Sequence, residues 1–224
     1  MPTPYFQNDL VTLYHGDCLE ITDWLEADVL VTDPPYGIQH RQRHGGYWGD
    51  ASYKETRGAI ANDATVGVRD DALALWGGKP GFVFGSWKAE RPANTNFRLI
   101  WHKKGQAPGP SNQAFITQDE EIYALGKGFR KSSPPMRSVI ATSEARHIEV
   151  SKIGHPTPKP IGLMETLIDR CPEGVIADPF SGSGATLMAA RNLGRKSIGV
   201  EMEEKYCELI ANRLSQEAFD FGGV

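Results

Sequence analysis

Between Val175 and Ser215 the chain alternates strand and helix patterns in a way that leaves few folds open. Val175-Ile176-Ala177-Asp178 reads as a strand, Pro179 to Gly184 as a tight glycine-rich turn and Ala185 to Leu193 as a helix. Ser197 to Glu201 reads as a second strand, and Glu203 to about Ser215 as a second helix. This is the β-turn-α-β-α unit of an open α/β sheet, which binds ligands at the carboxyl ends of its strands. Gly182 and Gly184 let a ligand approach the backbone at a helix amino terminus. Glu201 closes the next strand about 20 residues on, where an acid grips ribose hydroxyls.

Two details narrow the ligand. The turn lacks the third glycine of the dinucleotide fingerprint, which counts against a nicotinamide oxidoreductase. Asp178 and Glu201 also surround the turn with acid. A carboxylate there repels a pyrophosphate but attracts the ammonium of an amino acid joined to adenosine, which describes S-adenosylmethionine.

A second strand end carries different chemistry. Val29-Leu30-Val31 is continuously apolar and β-branched, and Pro34 and Pro35 forbid that strand from continuing. Asp33 therefore stands at a carboxyl end, facing the ligand crevice with Tyr36. Pro34 and Pro35 have no N–H to donate, so Asp33 and a prolyl-flanked carbonyl form an all-acceptor cradle. Such a cradle suits an –NH2 group, and the tyrosine offers a face for the ring that bears it. A rigid turn is the plain structural alternative for these four residues.

The other elements are weaker in outline. Leu10 to Tyr14 reads as a strand, followed by His15-Gly16-Asp17-Cys18 and a helical pattern through Leu19, Ile21, Trp24 and Leu25. Asp17 either caps that helix or accepts a bond from a ligand. Arg69 to Trp76 suits a helix and Gly81 to Gly85 a buried strand. Phe97 to His102 and Glu120 to Leu125 suit an antiparallel pair at a sheet edge. His155-Pro156-Thr157-Pro158-Lys159-Pro160 is stiff and extended, then enters a helix from Ile161 to about Cys171.

Two stretches lack periodicity. Residues 38–62 start at the candidate cradle and carry Arg41, Arg43, Lys54 and Arg57, as expected of a phosphate-facing lid or of a disordered loop. Residues 126–154, with Lys131 and Arg137, fit a short recognition insertion in a single domain spanning residues 1–224. The net charge is −4, yet Arg98 to Lys159 holds ten basic residues against five acidic ones. A basic face on an acidic body suits phosphate contact, though a solvated basic loop region has the same composition.

At 224 residues, 40% of them hydrophobic, the chain supplies one sizeable core. No secretion signal and no apolar run of about 20 residues is present, so a cytoplasmic location without membrane partners is expected. Cys18, Cys171 and Cys207 are few and widely spaced, with neither a disulfide framework nor a metal pattern.

The motifs Asp33-Pro34-Pro35-Tyr36 and Asp178-Pro179-Phe180-Ser181-Gly182-Ser183-Gly184 resemble the catalytic and cofactor motifs of amino-group DNA methyltransferases. Their order, catalytic motif first and cofactor motif last, resembles the circularly permuted beta class. The likeness runs from Leu13 to Leu214, outside residues 38–62 and 126–154. It implies a Rossmann-like α/β methyltransferase fold, with a seven-stranded, mostly parallel sheet containing one antiparallel strand. It further implies that Asp33, Pro34, Pro35 and Tyr36 hold the target amine and its base. Asp178, Phe180, Ser181, Gly182 and Gly184 would line S-adenosylmethionine, with Glu201 on the ribose, Asp17 on the adenine amino group and Lys159 in the segment beside the cofactor. Arg41, Arg43, Lys131 and Arg137 would meet DNA. The partner is then double-stranded DNA with its target base flipped out, bound by a monomer or homodimer, inside or outside a restriction-modification system. No metal is called for. Aspartate at the first motif position resembles the adenine-modifying members. Cytosine N4 methylation is the alternative, and a non-catalytic nucleic-acid-binding module is the alternative of another class.

Overall fold

The computed structural model describes residues 2–37, 66–104, 115, 117–143 and 158–220. The loop expected at residues 38–62, and His155, Pro156 and Thr157, lie outside them. The strands are β1 (Phe6–Gln7), β2 (Val11–His15), β3 (Val29–Thr32), β4 (Gly81–Gly85), β5 (Thr95–Lys103), β6 (Asp119–Leu125), β7 (Val139–Thr142), β8 (Ile176–Asp178) and β9 (Ser197–Glu201). The helices are α1 (Gly67–Trp76), α2 (Ile161–Ile168), α3 (Ala185–Asn192) and α4 (Glu204–Asp220).

Among the described residues nine strands join one sheet in the order β1-β2-β9-β8-β3-β4-β6-β5-β7. Strand β6 runs against both of its neighbours and β1 against β2, while every other pairing is parallel. The expected seven strands with one reversed are thus corrected to nine with two reversed. The two extra strands lack a readable signal: β1 has only two residues, and β7 is a four-residue strand with no fully buried position. Because β7 covers β5, the antiparallel pair β5–β6 is internal rather than at the expected edge.

A further correction concerns residues 19–25, expected as an α-helix. Leu19 N–H donates to the Asp17 carboxylate at 2.9 Å, and Glu20 and Ile21 N–H donate to the Asp17 carbonyl. The chain winds tightly around that one residue, and only a single 3-10 turn follows, at Asp23–Glu26.

Strand alternation divides the core into two layers. Val29 and Val31 of β3 face α2 and α3, packing with Phe84, Trp101, Ile122, Leu163 and Leu167. Leu30 faces the other way, towards Trp24 and Trp76, whose rings stack at 5.8 Å. Burial on both faces explains why β3 reads as unbroken apolar sequence.

The parallel pairings set β2, β9, β8, β3 and β4 side by side with all carboxyl ends at one edge. Strand β6 is reversed, so its amino end arrives at that same edge: Glu121 is level with Gly85, the last residue of β4.

Candidate active site

Asp33 follows β3 directly, and its side chain is 22% exposed. The Tyr36 hydroxyl lies 2.7 Å from Asp33 Oδ1 and 3.1 Å from Glu120 Oε2, so it donates to one carboxylate while remaining within reach of the other. The Lys159 ammonium pairs with Asp33 Oδ2 and stands 3.3 Å from Glu120 Oε2. Lys103, from β5, pairs with Glu120 Oε1. Two carboxylates, two ammonium groups and a phenol thus share one pocket. Lys159 is only 5% exposed and reaches it over the faces of Tyr36 and Phe84. Burial raises the Asp33 carboxyl above the usual range, Lys159 pulls it back and Glu120 pushes it further up. Burial and the two carboxylates hold the Tyr36 phenol firmly protonated.

The glycine turn is the adjoining strand end. Thr32, the residue before Asp33, donates its hydroxyl to Asp178 Oδ1 at 2.7 Å, and Thr186 of α3 donates to the Val31 carbonyl at 3.2 Å. Gly182 and Gly184 adopt φ of 50° and 79°, in the left-handed region. Four of the turn's N–H groups are spent within the protein. Phe180 donates to Asp178 Oδ1, Ser181 to the Val200 carbonyl, Gly182 to Glu201 Oε2 and Gly184 to the Ser181 carbonyl. A pyrophosphate needs such donors and finds these four taken. What the turn presents is carboxylate, from Asp178 and Glu201, and this suits a cationic amino acid–nucleoside conjugate such as S-adenosylmethionine. Glu201 accepts from Gly182 and Glu203 N–H at 2.7 and 2.8 Å, which fixes its orientation and leaves lone pairs on both oxygens for hydroxyls.

The other expected residues divide. Pro34 is buried and Pro35 half-buried beside Asp33, and Phe180 is half-buried at the turn, with Ser181 buried behind it. Asp17 lies just beyond β2, at the same edge, with its carboxylate on Leu19 N–H. Lys159, expected beside the cofactor, has its ammonium on Asp33 and Glu120. Lys131 is exposed and follows Arg130, which bonds the Arg170 carbonyl where the chain leaves α2, away from the Asp33 edge. Arg137 is exposed just before β7, four strands along the sheet from β3. Arg41 and Arg43 lie outside the described residues. The three thiols are buried, each pushed up to about 12, and are not nucleophiles. Among the described residues no group of three or more His, Cys, Asp or Glu is placed to hold a metal, and no helix is long and apolar enough to cross a membrane.

Sequence reasoning missed Glu120 and Lys103. The available signal was the hairpin itself: in a strand that runs backwards the first residues, not the last, sit at the ligand edge.

Comparison with known proteins identifies the family and the fold. The family model for N6/N4 DNA methylases, described as DNA methylase, matches residues 27–213. A putative methylase, YubD of Escherichia coli K12, is 30% identical over 89% of this chain and 88% of its own length. Type II methyltransferase M.ScaI of Streptomyces caespitosus is 28% identical, over 96% and 84%. Among solved structures, the M1.HpyAVI–SAM complex superposes with a TM-score of 0.62 at 21% identity, over 91% of this chain and all of that one. The cytosine-N4-specific PvuII DNA methyltransferase gives 0.63 at 17%, over 93% and 87%. The fold is accordingly the α/β fold of S-adenosylmethionine-dependent methyltransferases, and the chain belongs to the N6/N4 amino-group DNA methylase family.

Proposed function

We propose that this protein transfers the methyl group of S-adenosylmethionine to the N6 amino group of adenine in double-stranded DNA, as the modifying enzyme of a restriction-modification system. One observation supports it above the others: β3 and β8 are hydrogen-bonded neighbours, tied by Thr32 and Asp178, so the amine cradle and the glycine turn stand side by side. Strand spacing puts their backbones about 5 Å apart. The choice of adenine follows the aspartate at the first motif position. Cytosine N4 is the second reading, because the same acceptors suit either amine.

An aromatic amine is a weak nucleophile because its lone pair is delocalised into the ring. Asp33 and the Pro34 carbonyl, by accepting its two N–H groups, draw the nitrogen towards tetrahedral geometry and return density to it. Lys159 and the Tyr36 hydroxyl fix the Asp33 carboxylate. The Tyr36 ring takes the stacking that the flipped base loses, and Arg41, Arg43 and Arg137 meet the phosphates. Asp178, Phe180, Ser181, Gly182, Gly184 and Glu201 hold the cofactor, with Asp17 on its adenine. When bound, the cofactor supplies an electrophilic methyl on a sulfonium. Nucleoside mass spectrometry after incubation with labelled cofactor and mixed-sequence DNA is expected to find label in N6-methyladenine. Label in N4-methylcytosine selects the second reading, and label in neither rejects both.

The turn also predicts a pH dependence. Burial pushes Asp178 from the ordinary 3.8 up to about 7, against the pull of Thr32 and the turn. The folded apoprotein therefore holds a proton between those values that the unfolded chain releases, and this group's contribution to stability falls as pH rises through that window. A cation seated beside Asp178 favours its ionised form. Cofactor binding is therefore expected to tighten from pH 6 to pH 8 and to release a proton below about pH 7. Calorimetry in buffers of different ionisation enthalpy measures that proton, and Asp178→Asn removes it.

A further inference from the structure

Methylating an amine creates a proton that must go somewhere. As the nitrogen lone pair forms the N–C bond and the C–S bond breaks, the bonding electrons stay on sulfur and the nitrogen carries one proton too many. Asp33, which already accepts one of those N–H groups, takes it. The carboxylate is then spent. It is mostly buried, covered by the base it serves, and pinned on Oδ2 by Lys159, so direct exchange with solvent is poor while product is bound.

On the other oxygen the pocket offers a way out. Tyr36 Oη is 2.7 Å from Asp33 Oδ1 and 3.1 Å from Glu120 Oε2, a hydroxyl between two carboxylates that can accept from one as it donates to the other. We infer that Glu120 receives, through Tyr36, the proton that the target amine gives up to Asp33. This deepens the methyltransferase reading and rests on it. The balance closes without another reactant: Asp33 returns to carboxylate, Tyr36 exchanges one proton for another, and Glu120 becomes a carboxylic acid that releases its proton later.

The surroundings suit that task. Lys103 faces Glu120 from β5, Lys159 from the segment before α2, and Asp33 and Tyr36 from the end of β3. Asp119 and Glu121 flank it along β6. Glu121 points to the opposite face and is engaged by Arg98 and Tyr123. Asp178 faces Asp33 from β8. Both ammonium groups pair with the Glu120 carboxylate and hold it within reach of the phenol. The reversed direction of β6 is what brings a carboxylate here at all.

The test uses Glu120→Gln and Tyr36→Phe, which keep the shape of each side chain, and unmethylated genomic DNA on which the wild-type protein incorporates label. Each variant is expected to bind cofactor within a few-fold of wild type by calorimetry, which also reports folding. Each loses about 10²-fold in kcat at pH 7, and the double variant loses no more than either alone, because both lie on one route. The losses shrink as pH rises and as imidazole is added to carry the proton. A purely electrostatic role gives the opposite sign: removing the Glu120 charge lowers the Asp33 pKa, shifts the acid limb to lower pH and is not rescued by imidazole. That result, an unchanged kcat in Glu120→Gln, or losses that multiply, overturns the relay while leaving the methyltransferase reading intact. No incorporation by the wild-type protein overturns the reading itself.

Discussion

Asp33→Ala is expected to reduce methyl transfer by on the order of 10³-fold or more while cofactor affinity stays within a few-fold of wild type. The substitution removes the proposed acceptor of the amine and the proposed base for its proton, so both contributions disappear together. The proposed cofactor seat is built from β8, its turn and β9, and keeps all of its internal bonds: Gly182 N–H on Glu201, Ser181 N–H on Val200 and Thr32 on Asp178. Lys159 loses a partner but retains Glu120 at 3.3 Å, so the fold survives at a cost of about 1–3 kcal/mol. Transfer of tritiated methyl to DNA, set beside calorimetry, separates the two effects. Loss of cofactor binding in Asp33→Ala contradicts the role given to it.

Gly182→Val is expected to do the reverse, weakening cofactor binding by about 10²-fold or more and activity only as a consequence. Gly182 has a φ of 50°, where a β-branched residue is strained by at least about 1–2 kcal/mol. Relief of that strain moves the N–H that orients Glu201, so the acid proposed to hold the ribose shifts with the turn. Calorimetry reads the loss directly. Unaltered affinity in this variant removes the turn from the cofactor seat.

Local features of the chain were legible because each is decided by neighbours in sequence. Val29 to Val31 must be a buried strand, two prolines must end it, and a glycine turn between a strand and a helix must lie at a ligand edge. What stayed hidden depends on residues far apart. Lys159 meets Asp33 across 126 positions and Glu120 meets Tyr36 across 84, and neither pairing leaves a local pattern. Strand direction was the missing fact for Glu120. Strands β1 and β7 were too short to show a period, and the helix expected after Asp17 was overridden by the bonds that Asp17 makes to its own following backbone.

The most direct measurement is a structure of the protein with a non-transferring cofactor analogue and a DNA duplex that it methylates. The target amino nitrogen is expected about 3 Å from the Asp33 carboxylate and about 3–3.5 Å from the cofactor's reactive position, with Gly182 and Glu201 against the amino acid and ribose. A cofactor seated away from the Gly182 turn, or an amine held by groups other than Asp33, contradicts it.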